Sequence, residues 1–258
     1  MPKFEKNLLI IHAHPDDTEA FCAGTVQLLA DRGYHVTIAT MTAGGIGGIG
    51  MTEAQTINTR KAEARAAAAA INADYVCLDQ RDGYVFDHEA IRITAADLIR
   101  RTRAGIVMTH LPFDYHADHR ATCSIVDAAA MLAALPNVPC DAPPLDITPL
   151  LYHTAPLGFS DPLGEPITPP HFYIDITTTI NAKLAMLAEH HSQIELMRVM
   201  HKMDNFMDEL KAYNVDLGQL AGVDYAEAFW QHNGGGFQKD PLIQTELRDF
   251  LKQEITSE

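Results

Sequence analysis

LLIIHAHPDDTEA, residues 8–20, joins the end of a buried strand to a loop rich in ionisable side chains. Its apolar run, 8–11, is typical of a strand inside a parallel sheet. Two histidines and two adjacent carboxylates follow at once: His12, His14, Asp16 and Asp17. Because ligands of such sheets bind beyond the carboxyl ends of the strands, this ending predicts a ligand site there.

The alternation of patterns after this stretch predicts the fold. Strand-like runs and helical patterns alternate along the chain: strands at 8–12, 35–41, 75–79 and 105–110, and helices at 18–32, 53–71, 88–102 and up to about 135. This order predicts an α/β fold, a doubly wound and mostly parallel Rossmann-like sheet with helices on both faces. In the common strand order 3-2-1-4, the first and fourth strands are neighbours.

The second half of the chain predicts an extension of this core. A proline-rich connection leads to further strands at 150–155 and 171–177, a long helix from about 178 to 213, and a last helix near 241–254. We expect a single domain, 1–258, in which residues 1–135 form the core and residues 136–258 complete the substrate side with strands and a helical extension.

Composition narrows the classes of function. The chain has 34 acidic and 19 basic residues, a net charge of −15 and no cluster of lysine or arginine, which argues against nucleic acid or an anionic membrane surface as partner. Its four cysteines form no CxxC pair, and we interpret them as buried apolar side chains in a reducing compartment. The sequence has no signal-peptide pattern and no apolar run of transmembrane length, so we expect a cytoplasmic enzyme or binding protein.

A second ionisable stretch follows the fourth strand and completes a metal-ligand pattern. The loop LPFDYHADH ends at His119, which is predicted to lie beside His14 and Asp17 of the first loop. Two imidazoles and one carboxylate, with one coordination position open, are typical of a catalytic zinc site. Asp16 and His116 then remain as an acid/base pair suited to hydrolysis, and Asp118 could orient either histidine of its loop.

Each motif also has an ordinary structural interpretation when it stands alone. HPDD is a common start of a helix, because aspartate favours the positive helix terminus. We interpret His12 and His110 as structural. The remaining histidines of the predicted long helix, His190, His191 and His201, are expected on its surface. It is the predicted meeting of the two loops that favours a site.

Two alternative functions remain open on the residues alone. GIGGIG, Gly45–Gly50, matches the dinucleotide pattern GxGxxG and is followed by a strand ending in Asp79. It follows the second strand rather than the first, so a pliable loop lining a cleft is the preferred interpretation. Alternatively, two histidines and a carboxylate form the facial triad of a non-haem Fe(II) enzyme. If the glycine loop binds a nucleotide, the chain would be a binding protein rather than an enzyme, and the His/Asp cluster would hold a structural metal ion.

HAHPDDTEAFCAGT and DYHADHRAT resemble the two motifs of the PIG-L/LmbE family of zinc-dependent N-deacetylases. Three further segments are similar to this family: RKAEARAAAAAINADYVCLDQRDGY, KLAMLAEHHSQ and YAEAF. The resemblance implies an LmbE-type fold and removal of an N-acetyl group from an N-acetylglucosamine-containing small molecule, such as a GlcNAc-inositol, a bacillithiol precursor or a related glycoside. Ala117, where the family often has proline, and Thr18, where an acidic residue is common, depart from its pattern.

The resemblance also assigns roles to individual residues. Zinc would be bound by His14, Asp17 and His119, although Fe²⁺ can occupy such a site. Asp16 would be the general base, and His116 would stabilise the oxyanion with Asp118 tuning it. The residues implied in substrate binding are Arg60, Asp82 and Tyr115. The implied partner is a small N-acetylated sugar, and apolar faces of the C-terminal helices are compatible with a homo-oligomer.

Overall fold

The computed structural model describes residues 3–253. Eight strands form one sheet: β1 (Asn7–His12), β2 (His35–Thr42), β3 (Asp74–Gln80), β4 (Ile106–His110), β5 (Leu150–Thr154), β6 (Phe172–Asp175), β7 (Ala226–Gln231) and β8 (Leu251–Lys252). Their order is β3-β2-β1-β4-β5-β7-β6-β8. The first five strands pair in parallel, whereas β7 is antiparallel to β5 and β6, and β8 is antiparallel to β6. The predicted 3-2-1-4 order of the core strands is confirmed.

Helices cover both faces of this sheet, as predicted. Their bounds are α1 (Asp17–Phe21), α2 (Ala23–Asp31), α3 (Glu53–Ala69), α4 (Glu89–Arg101), α5 (Ala117–Leu132), α6 (Ile180–Ala188), α7 (His191–Met200), α8 (Phe206–Ala221) and α9 (Leu242–Glu246). Leu8 and Ile10 of β1 pack in one core with α2, α3 and α6, and Leu9 and Ile11 pack in the other with α4 and α5. Within 3–253, no helix is both long and apolar enough to cross a membrane.

The prediction of one continuous helix over 18–32 is wrong, because the structure has two helices there, α1 and α2. Cys22 leaves the helical conformation with φ −147°. The carboxylate of Glu227, on β7, accepts hydrogen bonds from the backbone amides of Gly24 and Thr25, at 3.0 and 2.7 Å. A side chain from a distant strand therefore satisfies the free amides of α2.

The helices predicted at 178–213 and 241–254 are also corrected. The first is three helices, α6 to α8, separated at His190 and by residues 201–205, where Lys202 has φ 57°. Apolar periodicity continues across these breaks because all three helices face apolar clusters. The second is the short helix α9 followed by β8, and residues 254–258 lie outside the described part. At the start of α3, Thr52 and Gln55 form a capping box, in which each side chain bonds to the backbone amide of the other residue.

A buried ion pair lies between the sheet and α6. Lys183 Nζ lies 2.7 Å from Glu227 Oε1, and both side chains are fully buried. Because Glu227 also accepts hydrogen bonds from two α2 amides, its charge is compensated by three donors. Such a pair is costly to break, since the remaining charge stays buried without its counter-charge.

Lys183→Met is therefore expected to lower the free energy of unfolding by about 3–5 kcal/mol. The substitution keeps an unbranched apolar chain but removes the ammonium group beside Glu227. Chemical denaturation measures the change, with Lys239→Met, at an exposed position, as the control. A loss below about 1 kcal/mol would show that the two amides alone compensate the carboxylate.

Candidate active site

The two ionisable loops meet at the carboxyl edge of the sheet. β1 and β4 pair in register from Leu8 with Ile106 to Ile10 with Met108, so the residues that follow each strand are neighbours. Together they form the floor of a cleft of about 550 Å³. Its walls come from the loop after β2, from the turn after β3, and from α7 and α8. The convergence predicted from strand order is thus present.

Asp17, the first residue of α1, lies at the centre of this floor. Its Oδ2 accepts a hydrogen bond from the His14 backbone amide at 2.8 Å and lies 3.4 Å from His14 Nδ1. Its Oδ1 lies 3.4 Å from His119 Nε2, and Oδ2 lies 3.3 Å from His110 Nε2. The structure therefore brings together His14, Asp17 and His119, the three residues predicted to bind a metal.

The far nitrogens of the two histidines are held by other carboxylates. His14 Nε2 lies 3.3 Å from Asp118 Oδ2 and 3.4 Å from Asp82 Oδ1. His119 Nδ1 lies 2.9 Å from Asp114 Oδ1. These contacts leave His14 Nδ1 and His119 Nε2 facing Asp17. Metal-binding histidines commonly donate their other ring N–H to a carboxylate in this way.

The charge balance of the floor favours a bound cation. Five aspartates crowd this region: Asp16, Asp17, Asp82, Asp114 and Asp118. Arg60 is the one arginine or lysine side chain among the described residues lining the cleft. Burial opposes charging of His119, but Asp17 and Asp114 outweigh it and raise its pKa to about 9. Imidazole and carboxylate ligands around a surplus of negative charge fit a divalent metal ion such as zinc.

Asp16 has the backbone and the environment of a strained functional residue. It precedes α1 with φ 95°, a conformation that costs a non-glycine residue about 1–3 kcal/mol. Burial raises the pKa of its carboxyl group to about 6, against the opposing charge of Arg60. Arg60 Nη2 donates to Asp16 Oδ1 at 3.2 Å. A carboxylate whose pKa lies near neutrality suits a general base.

His116 is prepared to donate a hydrogen bond into the cleft. It is the N-cap of α5, and its Nδ1 accepts a hydrogen bond from the Asp118 backbone amide at 3.2 Å. The neutral ring therefore carries its hydrogen on Nε2. Burial and the neighbouring His14 lower the pKa of His116, which keeps the ring neutral. The carboxylate of Asp118, predicted to tune His116, contacts His14 instead.

The three residues predicted to bind substrate occupy different positions. Arg60 is buried, and donates to Pro15 and Gly44 carbonyls as well as to Asp16. Asp82 lines the cleft while its Oδ2 accepts from the Ile46 amide. Tyr115 lines the cleft and is 47% exposed. Arg60 thus has its hydrogen bonds within the protein, whereas Tyr115 is free to meet a ligand.

Sequence reasoning missed two residues beside the site. Asp114 is buried, and its Oδ1 accepts hydrogen bonds from His119 Nδ1 and from the His116 backbone amide, the latter at 2.8 Å. His190, expected on a helix surface, is 1% exposed and lies 3.4 Å from Glu19. The spacing from Asp114 to His119 within one loop was the available signal for the first. For His190, the apolar helix pattern concealed the break that turns it inward.

The glycine loop at 45–50 packs closely against α3 and α7. A Cβ added at Gly48 would meet Thr56 Oγ1 at 1.9 Å, and one at Gly47 would meet Leu196 at 3.0 Å. The Ile46 amide is used by Asp82, and the α3 terminus is closed by its own capping box. These contacts favour the interpretation of a loop lining the cleft over that of a phosphate cradle.

Asp114→Asn is expected to weaken metal binding at this site by about 10- to 100-fold. The amide keeps the shape but removes the negative charge that holds the His119 Nδ1–H. Competition with a chromophoric chelator measures the affinity. An affinity equal to that of the unaltered protein would show that Asp114 does not support a ligand.

Fold and cleft together define a class: a doubly wound α/β protein with a His/Asp metal-type site at the carboxyl edge of its sheet. Residues 9–130 match the family model described as PIG-L: GlcNAc-PI de-N-acetylase. The family resemblance of the two motifs is therefore confirmed, since this part of the chain matches the PIG-L (LmbE-like) family. It contains both motifs and every residue predicted for the site.

Known proteins extend this similarity beyond the matched region. Diacetylchitobiose deacetylase of Thermococcus kodakarensis is 26% identical to the chain over 228 residues. The aligned part covers 86% of this chain and 81% of that protein. The structure of N,N'-diacetylchitobiose deacetylase from Pyrococcus horikoshii superimposes with a TM-score of 0.77 at 22% identity, covering 92% of this chain and 87% of that one. 4-oxalmesaconate hydratase of Pseudomonas putida is 27% identical to the chain over 137 residues. That alignment covers 50% of this chain and 53% of that protein.

Proposed function

We propose that this protein is a zinc-dependent hydrolase that removes the N-acetyl group from an N-acetylglucosamine-containing small molecule. The observation that carries the proposal is the convergence of His14 and His119 on Asp17, beside a base with a pKa near neutrality. The similarity of this chain to diacetylchitobiose deacetylase, over most of both chains, supports the class of substrate.

His14, Asp17 and His119 would hold the metal ion, which when bound supplies the Lewis acid for amide hydrolysis. Asp16 accepts the proton of the attacking water, and Arg60 keeps that carboxylate ionised and oriented. The Nε2–H of His116 donates to the oxygen that becomes negative at the amide carbon. A base and a donor of this kind suit hydrolysis better than oxygen activation. They therefore favour a zinc hydrolase over a non-haem Fe(II) oxygenase.

The cleft walls support a substrate with both polar and apolar parts. Asp82 and Tyr115 offer hydrogen-bonding groups for sugar hydroxyls near the floor. Another part of the lining is apolar and includes Leu157, Leu196, Met197, Phe206 and Leu210. We propose that the sugar ring lies near the floor and that its attached group contacts this wall.

Acetate release tests the proposal. The purified protein is incubated with diacetylchitobiose, with N-acetylglucosamine glycosides bearing polar or apolar aglycones, and with N-acetyl amino acids. We expect chelator-sensitive release from at least one sugar. Because a relative is named a hydratase, 4-oxalmesaconate is included. Its hydration, without acetate release from any amide, would overturn the proposal.

Arg60→Gln is expected to move the acid limb of the pH–rate profile to higher pH. The positive charge of Arg60 lowers the pKa of Asp16, which burial raises. Removing that charge raises the pKa further, so the ionised base is lost at a higher pH. The measurement is kcat/KM against pH, with Arg65→Gln, exposed on α3, as control. A limb that stays in place or moves to lower pH would contradict the role of Arg60.

A further inference from the structure

A second set of metal-type ligands lies outside the cleft. Cys123 and Asp127 are one turn apart on α5, His153 lies on β5, and His232 directly follows β7. Cys123 and His153 are buried, whereas the side chains of Asp127 and His232 are 29% and 24% exposed. The four side chains thus form a small site with a buried thiol at its base and an opening to solvent. None of the four lines the cleft.

Four separations between the donor atoms, counting both oxygens of Asp127, are close to those in a tetrahedral site. His153 Nε2 lies 3.3 Å from His232 Nδ1 and 3.8 Å from Asp127 Oδ1. Asp127 lies 3.9 Å from His232 Nδ1 through Oδ2 and 4.0 Å from Cys123 Sγ through Oδ1. With bonds of about 2.0–2.3 Å, two ligands of a tetrahedral zinc lie about 3.3–3.8 Å apart. The Asp127–imidazole distances are too long for good hydrogen bonds, but a modest contraction places them around zinc.

The hydrogen bonds of His153 set the tautomer of its ring. His153 Nδ1 donates to the His110 carbonyl at 2.8 Å, so Nε2 of the neutral ring is an acceptor and faces His232 Nδ1 at 3.3 Å. Cys123 Sγ lies 3.7 Å from Nδ1 of the same ring. Cys123, Asp127 and His153 each offer a ligand atom within 4.8 Å of the others, and His232 Nδ1 lies close to both Asp127 and His153.

We propose that Cys123, Asp127, His153 and His232 bind a second divalent transition-metal ion, for which zinc is the best fit. Thiolate and imidazole ligands select zinc over magnesium or calcium. Binding releases the Cys123 proton to solvent, and the ion takes up thiolate, carboxylate and two imidazoles. With four protein ligands the site is closed, which is typical of a structural rather than a catalytic zinc.

Such an ion would join three elements behind the cleft. It ties α5, whose first turn carries His119, to the ends of β5 and β7. His110 connects the two sites: its carbonyl accepts from His153, and its ring stacks on His119 with centroids 3.9 Å apart. The second ion would therefore fix the position of the cleft floor without touching the substrate.

Cobalt substitution tests the second site separately from the first. Among the described residues that line the cleft there is no cysteine. A sulfur-to-cobalt charge-transfer band in the near ultraviolet would therefore report on the second site alone. The full chain is stripped with a chelator and titrated with Co²⁺. We expect the band in the unaltered protein and in His119→Ala, and its loss in Cys123→Ser. Cys140→Ser, which alters a partly buried thiol elsewhere in the chain, is the control and keeps the band.

Zinc stoichiometry gives a second measurement. Two ions per chain are expected in the unaltered protein, one in Cys123→Ser and one in His119→Ala. His232→Gln, at a partly exposed position, replaces Cys123→Ser if that variant does not fold, and should also bind one ion. A single zinc per chain that is lost in His119→Ala, or a cobalt band that survives in Cys123→Ser, would overturn the second site while leaving the first intact.

Discussion

Asp16→Asn lowers kcat by about 10²- to 10⁴-fold while the metal content stays the same, if Asp16 is the general base. Asparagine tolerates the positive φ of this position and can still accept from Arg60, so the backbone and the metal ligands are preserved. What is lost is the ability to take a proton. Acetate release at saturating substrate measures kcat, and elemental analysis measures the metal.

Asp31→Asn, on the exposed end of α2, is the matched control because it makes the same chemical change away from the cleft. It should retain full activity. If Asp16→Asn also retained full activity, another group would have to be the base. If it lost the metal, Asp16 would belong to the ligand set.

His119→Ala is expected to lose one metal equivalent per chain and to reduce acetate release to background. The substitution removes the Nε2 that faces Asp17 and leaves Asp114 without its imidazole partner. Two remaining ligands, His14 and Asp17, do not make a catalytic zinc site, which normally has three protein ligands.

The control for this variant is His35→Ala, an exposed histidine at the start of β2. Both variants remove one imidazole, so a difference between them cannot come from nonspecific metal binding to histidine. Unchanged metal content in His119→Ala would exclude this residue as a ligand, whatever its effect on turnover.

The core fold and the grouping of the site could be predicted because they depend on general rules of parallel sheets. Strand order alone brings the ends of β1 and β4 together, and with them His14, Asp17 and His119. The residues assigned by motif line the cleft, except Asp118, which contacts His14. The assignment of ligands and base remains a prediction that the variants above test, and the assignment of Asp82 and Tyr115 as substrate contacts also remains a prediction.

Other features of the structure depend on contacts between distant parts of the chain, which local sequence patterns do not show. YAEAF was not recognised as β7, because alanine and glutamate favour helices and only the neighbouring strands determine its pairing. The same strand supplies Glu227, whose capping of α2 explains the break at Cys22. Cys123 was interpreted as an apolar core residue, since its proximity to His153 and His232 arises only when α5 packs on the sheet.

Metal-dependent acetate release by the purified protein would establish both the reaction and the role of the metal. The protein is stripped with a chelator, reloaded with one and then two equivalents of zinc, and assayed at each step on the best N-acetylglucosamine substrate. We predict that stripping abolishes release, that zinc restores it, and that Asp16→Asn remains inactive at every zinc level. Release that continues in the stripped protein, or none from any N-acetylated sugar with zinc bound, would show that the protein is not a zinc-dependent deacetylase of such sugars.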